Sequence, residues 1–332
     1  MAEHSATNRR DGASVRLEQA ARAAWLYYIA GRTQDEIAAT LDISRQSAQR
    51  LVSLAVTGKL IKFRLDHPIA ACVELETALR DRHGLRVCTV VPTVSASEGD
   101  PVHRAGLAIA GAELLARWFE TRAPLVVALS TGATLRAVAA ELSPQAAPQH
   151  KVMSLCGTMR VDGRMGSQEP VIEVAARTGA QCFPMPAPLI AATAEERELF
   201  HAQRPFRTLT TLLAEARHVM VGVGQIGWRC PVHADGFVSD ADLTELIEAG
   251  AVGEIAGAPF DAGGQPVDSS VDARVNGLRL ASPADPRTDA RTVVGVAGGG
   301  AKVAALAAAL RGRLLSGLIT DEATAAELLV HS

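Results

Sequence analysis

Residues 126–135 read Val126-Val-Ala-Leu-Ser130-Thr-Gly-Ala-Thr-Leu135. Four apolar residues run into a loop of small and hydroxylated side chains, which opens into a helical pattern over Thr134–Leu142. The same order recurs along the chain. Strands are expected at Leu85–Val91, Leu125–Leu129, Lys151–Leu155, His218–Val223, Ile255–Phe260 and Thr292–Val296. Helices are expected at Ile69–His83, Arg104–Glu120, Ala194–Phe200, Asp240–Ala249 and Lys302–Leu315. This alternation predicts an α/β domain with a mainly parallel sheet covered by helices. Ligands of such domains sit beyond the carboxyl ends of the strands.

Two strand ends are equipped for that. In Ser130-Thr131-Gly132-Ala133-Thr134 small residues let backbone N–H groups converge, hydroxyls add donors, and the helix terminus favours an anion. The second is Gly298-Gly-Gly300-Ala-Lys302 after Val293–Ala297. A Lys in a first helical turn is repelled by the positive dipole end, and a bound anion would reverse that penalty. Two look-alikes fail. Gly222-Val-Gly224-Gln-Ile-Gly227 fits a dinucleotide fingerprint, but Pro231 interrupts the helix it needs. Gly295–Lys302 resembles a phosphate-binding loop of nucleotide hydrolases, yet Ala301 separates Gly from Lys and Val303 replaces Ser/Thr. No cofactor is implied. Cys230-Pro-Val-His233 lacks a second ligand pair, so no metal is expected either.

Ahead of this domain lies a different pattern. A helix over Arg16–Ala30, with Leu17, Ala21, Ala24 and Tyr28 on one stripe, ends at Gly31. Thr33-Gln-Asp-Glu36 is a capping box for a short second helix whose buried face is Ile37 and Leu41. After the turn Leu41-Asp42-Ile43, Ser44 caps a third helix with Ala48, Leu51, Val52 and Ala55 inside. Its outer face shows Arg45, Gln46, Gln49, Arg50 and Ser53, and Ser47 stands in its first turn. Two short helices joined by a tight turn, the second polar and basic, match a helix-turn-helix whose recognition helix enters the major groove. Arg and Gln there can bond guanine and adenine edges bidentately. The alternating run Lys59-Leu-Ile-Lys62-Phe-Arg64-Leu65 is expected to lie as a wing on the DNA backbone, so the expected DNA contacts are Ser44, Arg45, Gln46, Ser47, Gln49, Arg50, Lys59 and Lys62.

Charge divides the chain in the same place. Residues 1–65 hold ten Lys/Arg against six Asp/Glu, net +4, while residues 66–332 hold 23 and 30, net −7. Ile43–Leu65 contains no acidic residue, a phosphate-facing bias. The expected domains are therefore a DNA-binding domain over 1–65 and a ligand-binding domain over 66–332. Hydrophobic content of 48 % with 21 % charged residues excludes long disordered or coiled-coil architectures. No apolar leader or membrane-spanning run is visible, so a soluble cytoplasmic protein is expected. The five cysteines, Cys72, Cys88, Cys156, Cys182 and Cys230, are too irregular for a disulfide framework and read as reduced, mostly buried thiols.

Three further stretches stand in order: Gly253-Glu254-Ile255 with Phe260-Asp261-Ala-Gly-Gly, then Val296-Ala-Gly-Gly-Gly-Ala-Lys302, then Leu318-Ile-Thr-Asp-Glu-Ala-Thr-Ala325. With the Thr33–Arg45 helix-turn-helix, the chain resembles, over nearly its whole length, the bacterial SorC-type sugar-binding transcription regulators, related to DeoR-group effector domains. The resemblance implies a Rossmann-like, sugar-isomerase-like effector domain, a sugar, polyol or sugar-phosphate effector, operator DNA as partner, control of a catabolic operon, and a homo-oligomer, commonly a tetramer. It implies that Ser130, Thr131, Gly132, Ala133, Thr134, Cys156, Gly157, Thr158 and Lys302 surround the anionic end of the effector. Glu254 matches the position that reaches sugar hydroxyls, and Gln225 and Asp261 complete the expected site. Thr131-Gly132 stands where many relatives carry Trp-Gly, which keeps an unphosphorylated polyol in view.

The competing class is an isomerase-like enzyme with an appended DNA-binding domain. Isomerisation needs a base to shuttle a proton. The candidate loops offer only Glu254 and Asp261 and no histidine, and carboxylates there serve equally to bond sugar hydroxyls. A regulator without catalytic residues is the expected reading.

Overall fold

The structure, a computed structural model, describes residues 15–58, 60, 61, 69–93, 101–165 (side chains from 104), 169–280 and 291–331. The chain divides into two compact units, Met1–Pro68 and Ile69–Ser332. In the first, α1 covers residues 15–24 and continues as a π-helical turn over Trp25–Ile29, followed by α2 (Gln34–Leu41) and α3 (Arg45–Thr57). Capping chemistry sets the boundaries. Glu36 N–H donates to the Thr33 hydroxyl at 3.3 Å and Thr33 N–H to Glu36 Oε2 at 2.8 Å. Asp42, at φ 54°, takes the chain out of α2, and Ser44 Oγ accepts the Ser47 N–H at 3.2 Å to open α3. Ile37, Ala38, Ala48 and Val52 form a small core with Ala23.

In α1 the expected stripe is corrected. Of Leu17, Ala21, Ala24 and Tyr28 only Ala24 is buried; the inner face is Ala20, Ala23 and Ala24. Alanines let neighbouring helices approach closely, so the larger side chains turn outward. The wing is only partly within view: Leu60 and Ile61 are in irregular backbone, while Lys59 and Lys62 lie outside the described residues.

The second unit runs α4 (Ala70–His83), β1 (Val87–Val91), α5 (Pro101–Phe119), β2 (Val126–Leu129), α6 (Ala133–Glu141), β3 (Lys151–Ser154), α7 (Pro170–Thr178) and β4 (Gln181–Phe183). Then come α8 (Ala194–Ala202), α9 (Arg204–Glu215), β5 (His218–Val221), β6 (Gly224–Gln225), α10 (Pro231–Ala234), α11 (Asp240–Glu248), β7 (Ala251–Ile255) and β8 (Ala258–Asp261). The chain closes with α12 (Ser270–Arg274), β9 (Thr292–Val296), a 3₁₀ turn (Gly300–Lys302), α13 (Val303–Arg311), β10 (Gly317–Asp321) and α14 (Glu322–His331).

Seven strands lie in the order β1-β10-β9-β5-β2-β3-β4, all parallel. Both faces are covered, as a parallel sheet requires. Along β2, Val126 and Ala128 join one hydrophobic core and Val127 and Leu129 the other. β3 and β4 extend the sheet to one side of β2, whereas β5, β9 and β10 extend it to the other. The winding therefore reverses between β2 and β5, where the carboxyl ends of strands open a crevice.

One expected strand divides in two. Ile255–Phe260 is a hairpin turn with its flanks: Ala256 at φ 55° and Gly257 at φ 85° reverse the chain, as a two-residue turn with two positive φ values does. β7 and β8 pair antiparallel in a separate three-stranded sheet with β6. The expected helix Lys302–Leu315 begins as the 3₁₀ turn, and its α-helical part is α13. Among the described residues no helix is long and apolar enough to cross a membrane, and no group of three or more His, Cys, Asp or Glu could hold a metal ion.

Candidate functional site

The reversal point gathers polar groups from four strand ends. Beyond β2, Ser130 is buried and its Oγ accepts the Gly222 N–H from the end of β5 at 3.0 Å. A side chain at Gly222 would meet the Thr131 carbonyl at 3.5 Å, so these two loops lie against each other. Thr131 Oγ1 is buried without a hydrogen-bond partner. Burial pushes the Cys156 thiol up, Glu169 and Glu254 add to this, and the Thr131 N–H pulls against it; a protonated, inert thiol results.

β6 and β7 bring the second half. Gly224 pairs with Glu254 and Gln225 with Gly253. A Cβ at Gly224 would stand 2.1 Å from Glu254 Oε1, so the absence of a side chain there makes room for the carboxylate. Burial raises the Glu254 carboxyl above its ordinary range; the Gly257 N–H, at 2.8 Å from Oε2, and the Lys302 charge act in the opposite direction. Gln225 Oε1, like Thr131 Oγ1, is buried and unpartnered. An orphaned hydroxyl after β2 and an orphaned amide oxygen after β5 are a cost that a hydroxylated ligand would remove.

Not every expected residue joins this cluster. Gly132 caps α6 at φ 117°, with Ala133 exposed and Thr134 half-buried in its first turn. Thr158 Oγ1 donates to Glu169 Oε2 at 3.2 Å, and Gly157 packs so closely on the Ala187 carbonyl that a Cβ would come within 1.8 Å. Both serve the packing behind the crevice. Asp261 pairs with Ala251 while Glu254 pairs with Pro259, so the two carboxylates lie at opposite ends of the hairpin. Asp261 Oδ1 accepts the Gly263 and Gln265 N–H groups at 2.8 Å and holds its own turn.

Sequence reasoning missed Asp321 at the end of β10. Its buried carboxylate accepts the Gly299 N–H at 3.1 Å, the Thr324 hydroxyl at 2.7 Å and the Thr93 hydroxyl at 3.1 Å, fixing the glycine loop that carries Lys302. It missed Glu169 as well, buried and accepting from Ser154 Oγ at 2.7 Å. Asp321 lay within a quoted motif, but nothing local marked it as a loop anchor.

On the first unit, Arg45, Gln46, Gln49 and Arg50 are exposed along α3. Arg45 pairs with Asp35 at 3.5 Å. Ser47 is half-buried and its hydroxyl pairs with that of Ser44 at 2.9 Å, so both serine hydroxyls belong to the cap.

A parallel sheet with polar groups at its reversal point, following a helix-turn-helix unit in the chain, is the architecture of a ligand-responsive transcriptional regulator. Comparison with known proteins gives the family. The Sugar-bind family, described as “Putative sugar-binding domain”, matches residues 67–330. The erythritol catabolism regulatory protein EryD of Brucella abortus (strain 2308) is 33 % identical over 310 residues, covering 93 % of this chain and 96 % of that protein. The transcriptional regulator LsrR of Enterobacter sp. (strain 638) is 29 % identical over 316 residues, covering 94 % and 93 %. The full-length sorbitol operon regulator SorC from Klebsiella pneumoniae shares the fold, with a TM-score of 0.67 at 22 % identity, over 94 % of this chain and 99 % of that chain. The chain belongs to the SorC-type sugar-binding transcriptional regulators.

Proposed function

We propose that this protein binds operator DNA through α3 and controls a carbohydrate or polyol catabolic operon in response to a sugar, polyol or sugar phosphate bound at the β2/β5 reversal point. The observation that carries the reading is that Thr131 Oγ1 and Gln225 Oε1 are both buried and unpartnered on the segments that follow β2 and β5, the second on a strand paired with that of Glu254, whose carboxyl feels the Lys302 charge. EryD is named for erythritol catabolism, which favours a small polyol or its phosphate as the effector. The DNA contacts are assigned to Arg45, Gln46, Gln49 and Arg50, with Lys59 and Lys62 on phosphates.

One recognition helix covers few base pairs, so a symmetric oligomer, a tetramer in the family's usual form, would read repeated half-sites. A cytoplasmic location follows from such a task. No catalysis is assigned: among the described residues the cluster holds no histidine, Glu169 and Asp321 are taken up by hydrogen bonds within the fold, and Cys156 is held as a thiol. An isomerase would need a base placed for proton shuttling.

Calorimetric titration of the full-length protein with erythritol, sorbitol and their phosphates tests the reading. Lys302→Ala should abolish the response to a phosphorylated effector and leave effector-free operator binding intact; for a neutral polyol Glu254→Ala should hurt more. Unaltered ligand affinity in both variants would remove the proposed pocket.

A further inference from the structure

A cavity of about 650 Å³ opens at the other end of the sheet from the proposed effector site. Arg86 immediately precedes β1, Arg291 precedes β9, and Ser316 precedes β10; all three line it. So do Arg82, Arg279, Arg311 and Arg313, and no Asp or Glu is among the described lining residues. This concentration of positive charge stands on a unit, Ile69–Ser332, that holds 23 Lys/Arg against 29 Asp/Glu, net −6.

The Arg86 and Arg311 guanidinium groups are held by neutral carbonyls. Arg86 Nη1 donates to the Arg291 carbonyl at 3.1 Å, and Arg311 Nε and Nη2 to that of Ala262 at 3.1 and 2.9 Å. Carbonyl bonds fix the position of an arginine without neutralising it. Arg279 differs, being paired with Asp272 at 2.6 Å. His83 Nε2, on the same wall, is buried with no partner. Its imidazole is pushed below its ordinary pKa by burial first, then by the Arg82 and Arg311 charges. Phe260, Pro266, Leu278 and Leu314 supply an apolar side.

We propose that this cavity is a second ligand site, taking a small organic molecule that carries two or more phosphate groups. Arginines recognise phosphate oxygens bidentately, and a concave surface of one charge sign concentrates anions. A single phosphate would leave most of the volume empty, whereas cavities of roughly 300–1,000 Å³ suit ligands of nucleotide size. The apolar side would receive the organic body. This site is separate from the strand-end effector pocket and does not depend on it.

The test is calorimetric titration of the full-length protein with magnesium-free ATP and with inorganic pyrophosphate at low and high salt. Saturable binding that weakens with salt is expected for both, tighter for ATP. Arg86→Gln and Arg313→Gln should each weaken it about tenfold, with Tm within about 2 °C of the parent. Arg313→Lys, which keeps the charge but not the bidentate fork, should lose less than Arg313→Gln, and Lys302→Ala should leave binding unchanged. No saturable binding would overturn the proposal. So would binding lost in Lys302→Ala but retained in the arginine variants, which would put the anion at the strand-end pocket.

Discussion

The carboxylate of Asp321 accepts the backbone N–H of Gly299 at 3.1 Å, tying the end of β10 to the loop after β9. The Thr324 hydroxyl lies 2.8 Å from the same Gly299 nitrogen, and a Cβ at Gly298 would stand 2.0 Å from Asp321 Oδ2. Gly298 therefore has to be a glycine for the carboxylate to reach. Lys302 follows three residues after Gly299, so its approach to Glu254 depends on this anchor.

Asp321→Ala leaves the Thr324 hydroxyl and backbone N–H short of an acceptor in a buried place, while the Gly299 N–H keeps the Thr324 Oγ1 at 2.8 Å. A loss of roughly 2–4 kcal/mol is expected, from the cost of leaving two or more buried donors unpaired. Urea unfolding measures the loss. Asp321→Asn, which keeps shape and one carbonyl acceptor, should retain more stability but still weaken an effector that depends on Lys302. Full effector affinity in Asp321→Asn would show that the loop holds Lys302 without the carboxylate.

Much of the first unit was legible because its signals are local. The Thr33/Glu36 box and the Ser44 cap act over three residues and appear as read. The α1 stripe failed because periodicity weighs large side chains, whereas the packing selected Ala20, Ala23 and Ala24. In the second unit β2 and β9 were legible from apolar runs ending in glycine loops. The β7–β8 hairpin was not, since Ile255 to Phe260 is apolar throughout and only the backbone of Ala256-Gly257 reverses it. α9 buries Phe206, Leu209, Leu212 and Leu213 at helical spacing and could have been found. Asp321 could not, because its bond to Gly299 joins neighbouring strands 22 residues apart in sequence.

Recognition by α3 is separable from its stability. Arg45 and Asp35 are each 68 % exposed, and an ion pair so open to water contributes little. Arg45→Ala and Gln49→Ala should therefore leave thermal unfolding nearly unchanged while costing roughly 1–3 kcal/mol of operator discrimination. Ser44→Ala should do the reverse, costing about 1 kcal/mol of stability through the lost cap. Footprinting and calorimetry on the three variants check this; undiminished operator protection in both Arg45→Ala and Gln49→Ala would remove α3 as the reading helix.

Glu169 makes stability depend on pH in an unusual direction. Burial raises its carboxyl above the ordinary 4.5, and the Ser154 and Thr158 hydroxyls only partly offset this. A carboxyl with a raised folded-state pKa favours folding below its unfolded pKa, and that advantage is lost as pH rises through the folded value. Glu169→Gln cannot ionise. Its Tm relative to the parent should therefore climb as pH is raised above 4.5 and level off beyond the raised pKa, followed by thermal unfolding across that range. A Tm difference that falls with rising pH would contradict the assignment.

Thr131 gives a direct test of the effector site, because its hydroxyl oxygen is buried and unpartnered without ligand. Thr131→Val keeps the branched shape and removes the orphaned group. Where a buried hydroxyl lacks a partner, its replacement by an isosteric methyl is neutral or stabilising, here by up to about 1 kcal/mol. If the same hydroxyl bonds the effector, affinity should fall about tenfold, the equivalent of one hydrogen bond. Opposite changes in stability and affinity are what a residue held for binding rather than folding must show. Thermal unfolding without ligand, paired with calorimetry using the polyol or sugar phosphate that the parent binds, reads both. Loss of stability together with unaltered affinity would mean that the Thr131 hydroxyl serves the fold, and the effector would have to be sought away from the β2 loop.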